Sequence, residues 1–404
     1  MFKPDSLEFS QNPYKVYAEL RRLDAPYFYD GAEAFLLSRH VDVESAARNP
    51  LLVRSLEAFM PEEYVKREQK ARNWQDMPNH ERFVQFSLLE RDGDLHFRLR
   101  LIVLRALSRR YVEQRSQATA IHIDDLLNQL IALENFDFVA DLAVHVPGHI
   151  IGQLLGVPEE DTAQLRTWSE NIVQFFDLGR NQRHKTLAEA ATTEFSLYLT
   201  DLISSRRKSP KEDLITSLVA AQSAGEMTEV ELISTCMLLL AAGHGSTIDV
   251  LGSGMHALLA HPDQMQLLRQ KPSLIKMAVQ EIFRFESPLP FFHRYASADI
   301  TINGKDYQKG TKFGLLYGSA NRDSNYFPNA DTFDITRDPN RHVAFGRGAH
   351  LCLGNHISRL NIEIIFLTIL KKIKEIELID FNPAYKRSLS SRGPESLQLK
   401  LKPK

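Results

Sequence analysis

The stretch Phe345-Gly346-Arg347-Gly348-Ala349-His350-Leu351-Cys352-Leu353-Gly354 decides the fold, because it sets one cysteine among glycines and just ahead of an apolar pattern. The apolar positions are spaced by four and three residues, which predicts a helix packed on a core; they are Leu353, Ile357, Leu360, Ile364 and Leu367. At a helix start, unpaired N–H groups and the positive end of the helix dipole favour thiolate over thiol. We therefore expect Cys352 to hold a stabilised negative charge.

The glycines around the cysteine predict a turn beneath a flat ligand. Gly346, Gly348 and Gly354 remove side chains from both sides of the sulfur, so the backbone can approach a ligand closely. Phe345 is expected to shield that turn from water. An unpaired cysteine is more often a small buried hydrophobic residue, which is our interpretation of Cys236, but core packing gives no reason for three clustered glycines.

This stretch resembles the haem-binding loop of the cytochromes P450, whose pattern is Phe, two residues, Gly, three residues, Cys, one residue and Gly. Every fixed position matches, and the resemblance extends from Asn12-Pro13-Tyr14 to Arg392-Gly393-Pro394. It implies the cytochrome P450 fold, mainly α with a minor β-sheet region (α+β). It also implies a haem b cofactor (iron protoporphyrin IX) whose iron is bound by the Cys352 sulfur, since an axial thiolate favours O–O cleavage.

Length and composition bound the other possibilities. The chain has 404 residues and a formal net charge of −2, with no linker or repeat, so we expect one domain spanning residues 1–404. The charge argues against nucleic acid as a partner. Two distant cysteines suit a reducing cytoplasm, and no stretch reaches the ~18 apolar residues expected of a membrane span. We therefore expect a cytoplasmic monomer.

Hydrophobic periodicity predicts mostly helix. Amphipathic stretches occupy residues 97–131, 161–176, 185–206, 229–260, 272–286 and 353–374. Short strand-like pieces lie near residues 34–37, 297–315 and 396–402, and Asn303-Gly304 predicts a hairpin turn.

Glu281 and Arg284 are three residues apart, so they share one face of a helix. Taken alone, such a pair is most simply a solvated surface ion pair of little energetic value. The P450 resemblance implies instead a buried structural triad with Arg337 that fixes the geometry of the cysteine loop.

A haem carries two carboxylates, which need cationic or hydrogen-bonding partners where they are buried. The resemblance implies four such residues: His96, Arg100, Arg294 and His350. At about 100° per residue, Arg98, Arg105 and Arg109 fall on the stripe opposite His96 and Arg100. That second stripe is either a solvated basic face or a surface for an electron donor, which the family resemblance implies to be a ferredoxin or flavodoxin with its reductase.

The segment Ala242-Gly243-His244-Gly245-Ser246-Thr247 resembles the distal helix of the family, in which Gly opens a kink over the iron. An acid and an alcohol normally follow and relay protons for O–O cleavage. Here Gly245 stands at the acid position and Ser246 at the alcohol position, with Thr247 next. Proton delivery must then use Ser246, ordered water, a substrate group or another titratable residue such as His244, although His244 is more often a packing or surface residue at such a position.

Substrate contacts follow from the resemblance by region, and the same residues could equally be core. An aromatic and aliphatic set suits a small hydrophobic or aromatic molecule. Its candidates are Phe86, Leu88, Phe175, Phe176, Leu239, Leu289, Phe291 and Phe292.

The function implied is a haem-thiolate monooxygenase that inserts one atom of O2 into a small hydrophobic substrate, for example by hydroxylation in secondary metabolism. Separate redox proteins must supply electrons, because the chain has no flavin or iron–sulfur segment. A peroxide-driven peroxygenase or a haem-thiolate isomerase remains an alternative, since peroxide brings its own protons. A haem-binding sensor without turnover is the alternative from a different class.

Overall fold

The computed structural model describes residues 2–403 except Arg72, Phe86, Glu134 and Leu178, and excludes the side chains of Lys402 and Pro403. The candidate pocket residue Phe86 therefore lies outside the described residues. The α-helices are α1 Leu7–Gln11, α2 Tyr14–Arg21, α3 His40–Arg48, α4 Glu62–Ala71, α5 Pro78–His80, α6 Gly93–Ala106, α7 Arg109–Ile131, α8 His145–Leu155, α9 Thr162–Val173, α10 Gln182–Lys208, α11 Leu214–Ser223, α12 Glu229–Ala260, α13 Pro262–Gln270, α14 Ile275–Phe285, α15 Tyr317–Ala320 and α16 Asn355–Lys372.

Two sheets and a hairpin complete the architecture. The strands are β1 Tyr27–Tyr29, β2 Ala34–Leu37, β3 Leu52–Val53, β4 Asn135–Asp137, β5 Phe291–Ala296, β6 Ile300–Ile302, β7 Lys305–Tyr307, β8 Lys312–Leu316, β9 Ile373–Leu378 and β10 Gln398–Pro403. The larger sheet has the order β1-β2-β8-β5-β3 and the smaller one β4-β10-β9. The predicted mainly α architecture with minor β-structure is confirmed.

Local sequence signals explain several boundaries. Helix α12 begins at a capping box, in which Thr228 and Glu231 satisfy each other's backbone N–H groups. The β6–β7 hairpin turns at Asn303 and Gly304, both with positive φ, so the predicted Asn-Gly turn is confirmed. The prediction of one helix over 97–131 is wrong, because the chain breaks at Leu107 and Ser108, and the Ser108 hydroxyl caps the new helix α7.

The apolar stripe after Cys352 is only half-buried. Leu353, Ile357, Leu360, Ile364 and Leu367 are all partly exposed. The fully buried side chains of α16 lie on a neighbouring face and include Ile362, Ile365, Phe366, Ile369 and Leu370. They pack with α12 and α14 in the largest core cluster. The periodicity therefore predicted the helix correctly but not its most buried face.

Two segments are long and apolar enough to cross a membrane by length and composition, Phe138–Leu155 and α12. The sequence-based expectation that no stretch reaches this length is therefore wrong. The apolar windows are 72% and 56% buried inside the protein. This burial is typical of core helices, and α12 does run through the core between α8 and α14.

Candidate active site

The cysteine loop is held by its own backbone and by α6. The Cys352 amide donates to the Phe345 carbonyl over 2.9 Å, and the Asn355 side-chain amide donates to the Cys352 carbonyl over 2.6 Å. Arg100 reaches from α6 and donates to the Leu351 carbonyl over 2.6 Å. The sulfur is thus presented from a turn that is tied down on both sides.

Two glycines are required by the backbone of this turn. Gly346 and Gly348 have φ of 68° and 71°, in the left-handed region that side chains disfavour. A Cβ on Gly348 would also lie 2.4 Å from the Ala47 carbonyl oxygen of α3. Gly354 has an ordinary φ of −82°, and a Cβ there would lie 4.0 Å from the cysteine sulfur. Phe345 is buried and its ring packs on Phe283.

The thiol itself is not acidified by the protein alone. Helix α16 begins at Asn355, so Cys352 lies three residues before it rather than in its first turn. The side chain is exposed, yet the surrounding protein desolvates it enough to raise the pKa of the Cys352 thiol above its usual value. The amides of Gly354 and Asn355 lower this pKa, and so does the Arg100 guanidinium, but burial has the larger effect. The helix-start amides therefore lower the thiol pKa as expected, but burial raises it by more than they lower it.

Four residues predicted to bind carboxylates converge from three segments. The rings of His96 and His350 lie 4.3 Å apart, and His350 Nε2 is 2.9 Å from Asp92 Oδ1. Burial lowers the pKa of His350 to about 4 and also lowers that of His96. Arg294 is buried and donates to the adjacent His293 carbonyl. Among the described residues, neither Arg294 nor Arg100 has a carboxylate within ion-pair distance, which leaves both cations available for a buried anion.

The structure brings Glu281, Arg284 and Arg337 together. Arg284 donates to both Glu281 oxygens over 2.7 Å, and both side chains are fully buried. Arg337 Nε lies 3.2 Å from Glu281 Oε2 and anchors the segment before the cysteine loop through the Pro328 carbonyl. Asn340, which the sequence reasoning missed, donates to the same carboxylate over 2.9 Å. A surface pair is therefore excluded at this position.

Helix α12 has an open side at Gly245, the position where the family pattern has an acid. A Cβ on Gly245 would meet nothing within 4 Å, whereas one on Gly243 would lie 2.5 Å from the Ile151 side chain of α8. The Ser246 hydroxyl donates to the Ala242 carbonyl over 3.1 Å, and the Thr247 hydroxyl donates to the Gly243 carbonyl over 2.7 Å. Gly243 thus permits close packing with α8, and Gly245 leaves space.

His244 points away from that space. It is 1% exposed, lies near Gly148 of α8, and neither ring nitrogen has a hydrogen-bond partner among the described residues. Burial lowers its pKa to about 4. The neutral ring is therefore a packing residue in the core, and the structure does not support the predicted catalytic role for it.

Comparisons with known proteins agree with this geometry. Residues 66–401 match the profile of the family described as Cytochrome P450. The biotin biosynthesis cytochrome P450 of Bacillus subtilis is 33% identical over 97% of both chains. The polyketide biosynthesis cytochrome P450 PksS of the same species is 33% identical over 99% of this chain and 98% of its own. The chain belongs to the cytochrome P450 family.

The fold of this P450 is also that of solved relatives. The crystal structure of P450BioI in complex with hexadec-9Z-enoic acid ligated acyl carrier protein superposes with a TM-score of 0.90 and 30% sequence identity. The superposition covers 98% of this chain and all of that one. The protein is accordingly a haem-thiolate monooxygenase with haem b as its cofactor. When bound, the haem supplies the activation of O2 and the oxidation of a C–H bond.

The residues present fit a haem. An accessible soft sulfur ligand on a glycine turn suits iron. The buried Arg294 and the half-buried Arg100, which have no carboxylate partner among the described residues, suit the two propionates. The sequence reasoning missed two neighbours of this group, Asp92 and Arg54. Arg54 is buried, ion-paired with Glu90, and donates to the His293 carbonyl over 3.0 Å. Asp92 lies four residues before His96 at the N-cap of α6, so helical spacing could have pointed to it, whereas Arg54 lies on a separate segment and gave no such signal.

The basic stripe expected on the cysteine side of the P450 is largely neutralised. Arg98 pairs with Glu231 over 2.6 Å and Arg105 pairs with Glu226, while Arg109 lies on α7 rather than α6 and pairs with Glu113. The break at Leu107 and Ser108 invalidates the helical angles assumed across it. A different feature occupies α6, namely three exposed apolar side chains at i, i+4 and i+7. They are Phe97, Leu101 and Leu104, which are 62%, 43% and 43% exposed.

The pocket candidates divide into open and buried sets. Phe176, Leu239, Leu289 and Phe292 are partly exposed. Leu88 is buried in a core cluster with α12. Phe175 is fully buried with Met77 and Ala188, and Phe291 packs under the larger sheet with Tyr17 and Leu36. Phe291 and Phe292 alternate along β5, so only one of them can face the same side of the sheet.

Proposed function

We propose that this monooxygenase hydroxylates an extended apolar molecule of the lipid or polyketide type. The observation that carries the proposal is the open, uncharged side of α12. Ala242 is exposed, Leu238 and Ala241 are partly exposed, and Gly245 adds free space beside them. Leu353, next to the cysteine, packs against the same hydrophobic cluster as Leu238 of α12. Its relatives include cytochromes P450 of biotin and polyketide biosynthesis, and one solved in complex with a carrier-bound unsaturated fatty acid.

The residue roles follow from the contacts. Cys352 binds the iron; His96, Arg100, Arg294 and His350 hold the haem carboxylates; Phe345, Gly346 and Gly354 shape the loop beneath the ring. The Glu281, Arg284 and Arg337 triad fixes that loop. Ser246 moves protons, with Thr247 holding the Gly243 carbonyl.

Spin-state titration tests the substrate class. Long-chain fatty acids, macrolactone-type polyketides and small polar compounds are each added to the purified holoenzyme, and the Soret shift that follows loss of an iron-bound water is recorded. Ala242→Phe should weaken binding of the long apolar compounds, while Ala224→Phe at the exposed end of α11 should not. A shift with polar compounds alone would contradict the proposal.

We propose that a ferredoxin or flavodoxin docks on the apolar stripe Phe97, Leu101 and Leu104. Arg100, on the same helix, contacts the carbonyl next to Cys352, so the stripe lies beside the cysteine loop. Since the neighbouring arginines are already ion-paired, apolar contact rather than charge should dominate, and donor-dependent reduction should depend weakly on salt. We place the protein in the cytoplasm, as a single domain and a monomer.

The docking surface is tested by Phe97→Gln and Leu101→Gln. Both should slow reduction by the donor proteins while leaving chemical reduction by dithionite unchanged. Leu197→Gln, at an equally exposed position on α10, is the matched control. Steep salt dependence together with normal rates in the α6 variants would show that charge directs docking instead.

A peroxide-driven reaction is the second candidate, and Gly245 is the observation that favours it. Peroxide already carries the protons that the missing acid would deliver. Product formation with a ferredoxin system is compared with product formation from peroxide alone. Turnover confined to peroxide would establish the second candidate and exclude the first.

A further inference from the structure

We propose that Asp249 is the acid that supplies protons to this active site, in place of the carboxylate missing at Gly245. The inference deepens the monooxygenase function and rests on it. Asp249 lies one helical turn beyond Gly245 on α12, and none of the sequence patterns assigned it a role.

The position of Asp249 on the helix supports this role. At about 100° per residue, Asp249 lies only about 40° from Gly245 and about 60° from Ser246 around the helix axis, and about 6 Å further along it. Ala242, exposed to the open space, lies within the same arc. One turn later the stripe is covered, because a Cβ on Gly252 would meet Pro394. Asp249 therefore stands where the open side of α12 meets the C-terminal loop.

The two carboxylate oxygens have different surroundings. Asp249 is 1% exposed, and its Oδ1 lies 2.6 Å from Lys386 Nζ in the C-terminal loop. Its Oδ2 is buried without a hydrogen-bond partner among the described residues. A buried carboxylate oxygen without a partner is costly, so it indicates an ordered water or a functional contact there. Lys386 is 36% exposed and reaches solvent on its other side.

The surroundings also hold the carboxyl in place and favour proton carriage. A Cβ on Gly393 would lie 2.4 Å from Asp249 Oδ1, so the loop packs directly on the carboxyl. Desolvation raises the pKa of Asp249, and Lys386, the charged group against it, moderates the rise. A carboxyl whose pKa is raised above the usual aspartate value carries protons better than an ordinary aspartate.

The proton balance closes with the donors already named. Hydroxylation of a C–H bond by O2 consumes two electrons from the redox partner and two protons, and yields an alcohol and water. Each proton leaves the Asp249 carboxyl, passes through ordered water and the Ser246 hydroxyl, and is replaced from solvent on the side where Lys386 is exposed. Ser246 must release its bond to the Ala242 carbonyl to donate.

Asp249→Asn tests the proposal, because it keeps shape and removes the acid. We expect product per electron consumed to fall by on the order of tenfold or more with the electron-donor system, and the peroxide-driven reaction to be retained. Adding Gly245→Glu to this variant should restore coupling, since the structure leaves room for that side chain. Asp213→Asn is the matched control, as Asp213 is a buried acid paired with Arg206 at the start of α11, near Cys236 of α12 rather than beside Gly245; it should keep normal coupling.

A second readout does not depend on turnover. Infrared titration of the 13C-aspartate-labelled holoenzyme should show a carboxyl band that Asp249→Asn removes and Lys386→Met moves to higher pH. Unchanged coupling in Asp249→Asn, or equal losses with the donor system and with peroxide, would overturn the relay in favour of a purely structural pair. If the wild type forms no product with either oxidant system, the proposed function fails instead, and the infrared band still reports on Asp249.

Discussion

The cysteine side and the α12 side of the site differ in how strictly the structure determines the residues at each position. On the cysteine side, the ten-residue pattern is complete, and the backbone requires glycine at Gly346 and Gly348, which have positive φ. On the α12 side, the acid position holds Gly245, and the nearest carboxylate on the same stripe is Asp249. Ligand presentation depends on one backbone conformation, whereas proton supply depends on a titratable group within reach. The second requirement can be met from several positions, so its sequence pattern is looser.

The largest expected effect is the loss of the iron ligand on the cysteine side of the site. Cys352→Ser should abolish the red-shifted Soret band of the ferrous carbon monoxide complex, because that band requires the thiolate ligand. Cys236→Ala is the control: Cys236 is fully buried, and burial raises the pKa of its thiol to about 12. Loss of the band in the control, or its survival in Cys352→Ser, would show that the ligand is misassigned.

The buried triad should give the next largest effect. Glu281→Ala leaves two arginines without their carboxylate in a fully buried site, which should cost about 3–5 kcal/mol of unfolding free energy and most of the haem loading. Glu62→Ala removes an exposed pair with Lys66 and should leave stability nearly unchanged. Urea unfolding and the ratio of Soret to protein absorbance measure both. Normal loading of Glu281→Ala would mean that the triad does not fix the loop.

A glycine-to-alanine substitution made once on the cysteine side and once on the α12 side tests this difference directly. Gly348→Ala combines a positive φ with a Cβ 2.4 Å from a backbone oxygen, and it should cost about 3 kcal/mol. Gly245→Ala places its Cβ in open space within a helix, where it should stabilise by up to about 1 kcal/mol. Thermal unfolding of the two holoproteins measures the difference. Similar stability of both variants would refute the claim that the cysteine side is sterically fixed.

The sequence predicted the parts of this site that depend on local backbone. The cysteine loop and the Asn303-Gly304 hairpin follow from turn residues, and helix α12 follows from the hydrophobic periodicity of residues 229–260. Features that depend on packing between distant segments were missed: the fully buried face of α16, the pairing of Arg98 with Glu231, and the pairing of Asp249 with Lys386. A helical wheel assigns a side chain to a direction but does not show which segment covers it. For that reason His244 was a catalytic candidate until α8 was seen to bury it.

The smallest effect concerns His244 and tests whether it belongs to the core or to the site. Burial lowers its pKa from 6.5 to about 4, and Glu170 and Arg166 act on it in opposite directions. Above pH 6.5 the ring is neutral in both the folded and the unfolded chain. Between pH 6.5 and 4 only the unfolded chain binds the proton, so stability falls as pH falls. At pH 5 this loss is about 2 kcal/mol relative to pH 7.

His244→Leu should remove that loss while leaving product per electron unchanged, because a neutral core ring carries no protons to the active site. The difference in unfolding free energy between pH 7 and pH 5 is measured by urea denaturation for the wild type and the variant. A variant with the same pH dependence as the wild type would show that other groups cause it. Reduced coupling of His244→Leu at pH 7 would show instead that His244 carries protons to the active site, as we propose for Asp249.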